Sequence, residues 1–202
     1  MITSEFYIVA IVSYLIGSIS FAVLVSRRLK LADPRTYGSK NAGATNLLRG
    51  GSKKAAALAL VGDALKGWVV IYGLKEWLAF PGHSPWLLMI ASIGVFLGHG
   101  YPIFFRFKGG KGVATCLGVL VALNPHLGLS TTLVWLSVML VTRVSSLSAI
   151  CASVAAPFFA IWLLPSWIER LTVLTLSLLL LLHHQANIRK LMRGEETVFR
   201  KK

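Results

Sequence analysis

Acidic residues are scarce in this sequence: 7 Asp and Glu stand against 21 Lys and Arg, and only 14% of the residues are charged. Together with a hydrophobic fraction of 55%, this composition excludes an ordinary soluble domain. Cysteine is scarcer still, since Cys116 and Cys151 are the whole complement and both lie in apolar runs. This excludes a disulfide framework and a cysteine-rich metal site. The sequence also has no aspartate cluster suited to magnesium, so we expect neither a metal nor a cofactor.

Long apolar runs are what the sequence has in abundance. A helix needs roughly 20 residues to cross a hydrocarbon core of about 30 Å, and most of the runs approach that length. Residues 113–123 are shorter, because Asn124-Pro125 ends them; a short span, a re-entrant segment and the start of a bent helix all fit. We predict an all-α integral membrane protein, one polytopic domain over 1–202, with seven transmembrane helices, although hydropathy also allows six or five. The predicted spans are 6–26, 55–74, 85–105, 113–123, 126–142, 144–164 and 168–184.

The basic residues are distributed very unevenly between the two ends of these spans. With seven spans, 18 of the 21 Lys and Arg fall on one side, in the loops 27–54 and 106–112, at Arg143 and in the tail 185–202. The positive-inside rule then places the N-terminus outside and the C-terminus in the cytoplasm. Leaving out the run 113–123 would scramble this distribution, so the charges favour an odd number of spans.

Two short segments on the basic side combine glycine with cations. Residues 38–49 read Gly-Ser-Lys-Asn-Ala-Gly-Ala-Thr-Asn-Leu-Leu-Arg, and residues 108–115 read Lys-Gly-Gly-Lys-Gly-Val-Ala-Thr. Glycine lets backbone N–H groups approach an anion closely, Lys and Arg supply charge, and Ser, Thr and Asn add neutral hydrogen bonds. Two such loops on one membrane face predict a site for phosphorylated substrates.

The second glycine-rich loop runs directly into the apolar run that starts at Val113. A helix beginning near Gly112 would direct its N-terminal amides and positive dipole end at the loop, and such helix ends bind phosphate. The loop is not a Walker A motif, because the Gly-x4-Gly-Lys-Ser/Thr spacing is absent. A basic cap that obeys the positive-inside rule explains Lys108 and Lys111 but not the three glycines among them.

Several polar residues lie within or at the ends of the predicted spans. Asp63 and Lys66 are three residues apart, so they share a helix face; an internal ion pair and a support for a basic site residue are both open. His99 is more simply a packing or hydrogen-bonding group than a ligand contact. His184 and Asn187 share a face near the interface, where an amphipathic helix on anionic lipid is the simpler explanation and substrate contact the alternative.

Taken together, these segments resemble the acyl-phosphate:glycerol-3-phosphate acyltransferase family of bacterial inner membranes, the PlsY type. Three motifs carry the resemblance, in family order and over essentially the whole chain. The first comprises Gly38, Ser39, Asn41, Gly43, Asn46 and Arg49. The second comprises Gly98, His99, Pro102 and Phe104, followed by residues 107–112, Ala114 and Thr115. The third comprises His184, Asn187, Ile188, Leu191, Gly194 and Glu196. The run 63–67 also fits the family pattern.

The resemblance implies seven spans with the N-terminus outside and an active site that faces the cytoplasm. It implies transfer of a fatty acyl group from acyl phosphate to the sn-1 hydroxyl of glycerol 3-phosphate, giving lysophosphatidic acid and inorganic phosphate. No acyl carrier protein, coenzyme A, metal or other cofactor takes part directly. The expected partners are the two substrates and membrane lipids but no nucleic acid, and a monomer is expected.

The motifs suggest a role for each candidate residue. Lys111, with the amides of Gly110 and Gly112, is expected to bind the acyl-phosphate headgroup. Arg49 is expected to clamp the phosphate of glycerol 3-phosphate, because Arg suits bidentate phosphate recognition. The candidate catalytic residues are Lys111, His184 and Asn187. The candidate substrate-binding residues are Ser39, Asn46, Arg49, Gly109, Gly110, Gly112, Thr115 and Ser146.

Two features of the expected reaction concern proton transfer and covalent chemistry. The hydroxyl proton passes either to the acyl phosphate itself or to His184 as general base, and the sequence leaves both routes open. None of the five histidines has an Asp five residues later, as acyltransferases of the His-x4-Asp type require, and there is no Gly-x-Ser-x-Gly elbow. We therefore expect no covalent acyl-enzyme. The sequence departs from the family at Gln185, where a basic residue is frequent, and matches weakly over 144–147.

Two rival functions fit parts of the pattern. A carrier for a phosphorylated metabolite would also use basic loops and broken helices, but its site must be reachable from both sides. Here the charged groups lie at one face, and only Asp63 and Lys66 lie deeper. A structural protein that recruits anionic lipid explains the basic excess, but not the glycine, asparagine and serine within the basic loops.

Overall fold

Every regular element that the computed structural model describes is helical, over residues 4–78 and 84–198. The helices, in chain order, are α1 (Ser4–Gly17), α2 (Phe21–Arg28), α3 (Ala44–Arg49), α4 (Lys53–Leu78), α5 (Trp86–Gly100), α6 (Val113–Leu123), α7 (Pro125–Thr142), α8 (Ser145–Leu163), α9 (Trp167–His183) and α10 (Gln185–Met192). A short 3₁₀ turn, Ile103–Phe105, follows α5.

Most of these helices are long and apolar enough to cross a membrane. Five spans pass by length and composition: Ser4–Arg28, Lys53–Leu78, Trp86–Phe105, Pro125–Thr142 and Ser145–Leu163. The pair Trp167–His183 and Gln185–Met192, bent by 60°, makes a sixth if it counts as one span, and Val113–Leu123 is apolar but shorter. The prediction of an all-helical, multi-pass membrane protein is confirmed. The number seven and the side of each terminus stay predictions.

The first predicted span is not continuous but is broken between α1 and α2, over residues 18–20. The break exposes backbone carbonyls that a continuous helix would use, and lipid offers no water to satisfy them. The Nζ of Lys66, on α4, lies 2.8 Å from the carbonyl oxygens of both Gly17 and Ile19. A lysine from a distant helix therefore stabilises a break that the local sequence did not predict.

Small residues allow the helices to pack closely, as expected for a bundle in lipid. Gly17 of α1 lies against the backbone of Val95 on α5, where a methyl group would collide. Gly67 of α4 is equally close to the carbonyl of Thr115, and Gly118 of α6 to that of Ala64. These contacts make α1 with α5 and α4 with α6 the tightest pairs, and α7 packs against α8, which packs against α9.

The turn between α6 and α7 follows the predicted Asn124-Pro125 signal. The side-chain oxygen of Asn124 accepts the backbone N–H of His126 at 2.8 Å, and Pro125 occupies the first helical position, where its missing N–H costs nothing. The Asn124 amide also donates to the carbonyl of Leu163 at the end of α8. The prediction that this dipeptide ends the run 113–123 is confirmed.

The motif loops converge on one end of the bundle. Three hydrogen bonds join them there: Arg35 to the carbonyl of Phe105 at 3.0 Å, the hydroxyls of Thr45 and Ser145 at 3.1 Å, and Lys111 to Asn187 at 2.5 Å. Contacts at the opposite end include Lys75 with the carbonyl of Leu123 and the edge-on rings of Trp86 and Trp167. Helix α6 therefore starts at the motif end, and its C-terminus reaches the other end.

Candidate active site

A cavity of about 320 Å³ opens where the motif loops converge and continues between α6, α7, α8 and α9. Residues at the loop ends of the helices make one end of it polar, with Ser39, Arg49, Lys111, Ser146, His184 and Asn187 in its wall. Further into the bundle the wall is apolar and includes Leu117, Leu120, Trp135, Ala152, Val173 and Leu176. The cavity thus joins a cationic, hydrogen-bonding end to an apolar chamber.

Lys111 is the centre of a polar chain that links the second and third motifs. Its Nζ donates to Oδ1 of Asn187 at 2.5 Å, and Nδ2 of Asn187 donates to Oε2 of Glu196 at 2.8 Å. Burial lowers the pKa of Lys111 below its ordinary value, the nearby cations Arg49 and Lys190 lower it further, and Glu196 opposes the shift. An anion bound in the cavity would oppose this lowering of the Lys111 pKa, because it favours the charged form of the lysine.

His184 lies at the bend between α9 and α10, and its ring is buried in the cavity wall. Its Nδ1 is 2.9 Å from the carbonyl oxygen of Leu180. A carbonyl only accepts hydrogen bonds, so Nδ1 carries the proton and Nε2 is left as an acceptor. The bend redirects the chain so that Asn187, three residues on, faces the same cavity as His184.

The glycines of the second motif serve two different purposes. Gly109 and Gly110 pack so closely on the backbone and ring of His99 that a side chain at either position would collide. The Gly110 N–H donates to the His99 carbonyl at 3.1 Å, so it is not directed at a ligand as the sequence predicted. Gly112 does line the cavity, at a φ of 87° that favours glycine, and it begins α6.

The first motif is organised around Asn46, which is 1% exposed. Its Nδ2 donates to the carbonyl of Pro34 at 2.6 Å and also lies within 3.2 Å of two other loop carbonyls. Its Oδ1 accepts the backbone N–H of Ser39 at 3.1 Å. Asn46 borders the cavity, but its hydrogen bonds hold the loop in shape, and Ser39 and Arg49 are thereby presented to the cavity.

Ser146 and Thr115 have different surroundings, although both were predicted to bind substrate. Ser146 borders the cavity, and within the described residues its buried hydroxyl has no hydrogen-bond partner. Thr115 is fully buried at the α4–α6 contact, where Gly67 meets its carbonyl, and it is not in the cavity wall. The structure therefore brings Ser146 to the site but not Thr115.

Asp63, Lys66 and His99 form a buried polar cluster, and Asp63 and His99 border the cavity. Lys66 Nζ is 3.0 Å and His99 Nδ1 is 3.5 Å from the same oxygen of Asp63. The ion pair, one of the two roles that the sequence left open, is present, and it has a further link to His99 that the sequence did not reveal. Because the His99 carbonyl holds the Gly110 amide, the cluster supports the glycine-rich loop and, through Lys66, the break in the first span.

Sequence reasoning missed the contact between Thr45 and Ser145, although both residues border the cavity. Thr45 lies within the first motif, and Ser145 starts α8. They are 100 residues apart, so no local pattern signals the contact.

The helical bundle and this cavity define a class: integral membrane proteins with a cationic, hydrogen-bonding pocket joined to an apolar chamber. Comparison with known proteins places the chain in one family within this class. The chain matches the family model described as glycerol-3-phosphate acyltransferase over residues 7–194, and it belongs to that family.

Curated relatives carry the same description. The glycerol-3-phosphate acyltransferase of Paraburkholderia phymatum is 55% identical over 193 residues, which are 96% of this chain and 92% of that protein. The one from Burkholderia pseudomallei strain K96243 is 51% identical over 195 residues, covering 96% and 95%.

Two solved structures are also similar, both of PlsY (YgiH), an integral membrane glycerol 3-phosphate acyltransferase. The glycerol 3-phosphate form has a TM-score of 0.89 at 36% identity, covering 98% of this chain and 96% of that one. The lysophosphatidic acid form has a TM-score of 0.88 at 35% identity with the same coverage.

Proposed function

We propose that this protein transfers an acyl group from acyl phosphate to the sn-1 hydroxyl of glycerol 3-phosphate, releasing lysophosphatidic acid and inorganic phosphate. The observation that carries the proposal is the two-part cavity. Its polar end holds Lys111, Arg49, His184 and Asn187, and its other part is an apolar chamber between four helices. Acyl phosphate has the same division, with an anion at one end and a hydrocarbon chain at the other.

The polar end offers separate groups for two phosphates. Lys111 with the start of α6 suits the acyl-phosphate headgroup, because a point charge and free helix amides meet there. Arg49, which reaches the cavity from α3, suits the phosphate of glycerol 3-phosphate. Ser39 and Ser146 add hydroxyl donors, and in this proposal Asn46, Gly109 and Gly110 act by holding the loops rather than by touching substrate.

The reaction needs positioning and charge stabilisation more than strong acid catalysis. The glycerol hydroxyl oxygen attacks the acyl carbonyl carbon, the bond from that carbon to the phosphate oxygen breaks, and phosphate leaves with the electron pair. Holding the reactants together supplies on the order of 7–11 kcal/mol in well-oriented systems. Lys111 and the α6 amides stabilise the charge on the leaving phosphate, the kind of contribution that preorganised donors make.

We also propose seven crossings, with the N-terminus outside and the active site on the cytoplasmic face of a bacterial inner membrane. The 18 basic residues of the motif side support this orientation under the positive-inside rule. The seventh crossing requires α6 to count as a span, and its position between the two ends of the bundle supports that. A monomer is also proposed, since the proposed reaction requires no group beyond those of one chain.

The activity is tested with purified protein in detergent, supplied with acyl phosphate and glycerol 3-phosphate. We expect lysophosphatidic acid and an equal amount of inorganic phosphate. Fatty acyl thioesters of coenzyme A and of acyl carrier protein, offered as alternative donors, should give no product. A metabolite carrier would make no lysophosphatidic acid in detergent with any donor, so this result would overturn the proposal.

A second prediction separates the two proton routes at His184. In the proposed mechanism the phosphate of the donor takes the proton, and His184 orients the hydroxyl through Nε2. His184→Gln places an amide that can still accept a hydrogen bond, so kcat should fall less than about tenfold, whereas loss of a general base costs about 10²–10⁴-fold. Single-turnover rates at saturating substrate measure the effect, with His184→Ala as the variant that loses orientation. A loss of the larger size in both variants would assign the base role to His184.

A further inference from the structure

Measured from Ser146 and His184 at its polar end, the cavity has a definite depth along two different helices. On α8 the wall runs from Ser146 to Ala156, ten residues or about 15 Å at the helical rise per residue. On α9 it runs from His184 to Val173, or about 16 Å. The agreement between the two helices defines a chamber that extends about 15 Å from the polar end.

The chamber ends against large buried side chains of the core. Leu123, Leu127 and Leu164 are at most 4% exposed, pack in the same apolar cluster as the deep wall residues and do not line the chamber. Leu120 lies at the deep end of the wall, together with Val173. A straight hydrocarbon chain that enters from the polar end therefore meets Leu120 and Val173, with the buried core behind them.

One wall of the chamber is built from small residues on a single face of α8. Ala149, Ala152 and Ala156 recur at helical spacing, and all three border the chamber. Two hydroxyl groups along the wall, those of Ser153 and Thr131, donate to carbonyls of their own helices and so add little polarity to the chamber. The space beside α8 exists because these side chains end at Cβ.

We propose that this face of α8 and the floor at Leu120 set the length of acyl chain that the enzyme uses. The inference rests on the proposed function, because it assigns the chamber to the chain of the acyl donor. One helical turn is about 5.4 Å, which corresponds to about four carbons of an extended chain at ~1.25 Å each. A bulky side chain one turn nearer the polar end therefore shortens the usable chamber by about four carbons.

The test compares Ala152→Phe with Ala156→Phe on acyl phosphates from hexanoyl to octadecanoyl. A depth of about 15 Å holds about 12 extended carbons at ~1.25 Å each, so longer chains already exceed the chamber of the wild type. We expect kcat/KM for dodecanoyl phosphate to fall about tenfold or more in both variants, while hexanoyl phosphate is used nearly as in the wild type. The longest chain used well should be about four carbons shorter in Ala152→Phe than in Ala156→Phe. Val154→Phe, on the exposed face of the same helix, is the matched control and should keep the wild-type profile.

A variant with a smaller side chain keeps the test valid if the phenylalanine variants fail to fold. Leu120→Ala lowers the floor, so its profile should shift toward longer chains, and thermal melting in detergent reports whether each variant is folded. Folded variants with an unchanged profile, or an equal loss for every chain length, would overturn the inference. Wild-type protein that makes no lysophosphatidic acid from any acyl phosphate would overturn the proposed function instead, so the two failures are distinguishable.

Discussion

Lys111→Met is expected to lower kcat/KM by about 10²- to 10³-fold, the loss that follows removal of one preorganised donor to a charge that develops in the transition state. Methionine keeps much of the length and the apolar stem of lysine but brings no charge. The variant loses the ammonium at the start of α6 and leaves the side-chain oxygen of Asn187 without the donor it has at 2.5 Å. Initial rates with both substrates varied separately, on folded protein, measure the effect. Unaltered kinetics in Lys111→Met would contradict the assignment of the polar end.

The pH profile provides a control that a purely structural lysine would not show. Burial lowers the pKa of Lys111, so the free enzyme loses the binding-competent ammonium at a lower pH than an ordinary lysine would. We therefore expect kcat/KM to fall on the alkaline side as pH rises through that lowered pKa. Lys111→Arg keeps a charge at every accessible pH, and its alkaline limb should lie at higher pH even if its rate is reduced. A limb in the same place for both proteins would show that another group titrates.

Asp63→Leu is expected to destabilise the fold by about 3–5 kcal/mol, because it leaves the buried ammonium of Lys66 without its carboxylate. The side chains of both residues are only 2% exposed, and their charged atoms are 3.0 Å apart. In the double variant Asp63→Leu/Lys66→Met the uncompensated charge is gone, so part of the loss should be recovered. Recovery should stop short of wild type, because the carbonyls of Gly17 and Ile19 lose their donor.

Thermal melting and denaturant titration in one detergent would measure the stability of the wild type, of Asp63→Leu and of the double variant. Asp63→Asn serves as the conservative variant, since it keeps the shape and loses only the charge. A double variant no more stable than Asp63→Leu would mean that the pair is not the source of the loss. If wild-type stability persisted in Asp63→Leu, the cluster would have no role in holding the bundle.

Hydropathy and charge predicted the parts of this fold that depend on local composition. Apart from the first, which is broken over residues 18–20, the long apolar runs became helices close to their predicted limits, and Asn124-Pro125 ended α6 where expected. The spacing of Asp63 and Lys66 placed them on one helix face, and their ion pair is one of the two roles left open for them. These predictions succeeded because capping, helix periodicity and burial of apolar surface depend on residues near one another in sequence.

Features that depend on distant partners were not predictable in this way. The break after Gly17 is stabilised by a lysine 49 residues further along the chain. Asn46 has the same polar groups as a ligand contact, and only the surrounding loop carbonyls reveal that it faces inward. No proline or glycine lies near His184 to predict the 60° bend there. In each case the deciding contact comes from an element that the local pattern does not contain.

The hydrogen bond between Lys111 and Asn187 joins residues 76 positions apart, across three long apolar helices. During synthesis those helices must leave the ribosome and enter the bilayer before the two side chains can meet. Lys111 is therefore synthesised well before Asn187, and until then its side chain lacks this hydrogen-bond acceptor. Under the proposed function, a polypeptide that ends before α10 would lack Asn187, and we expect it to enter the bilayer without acquiring activity.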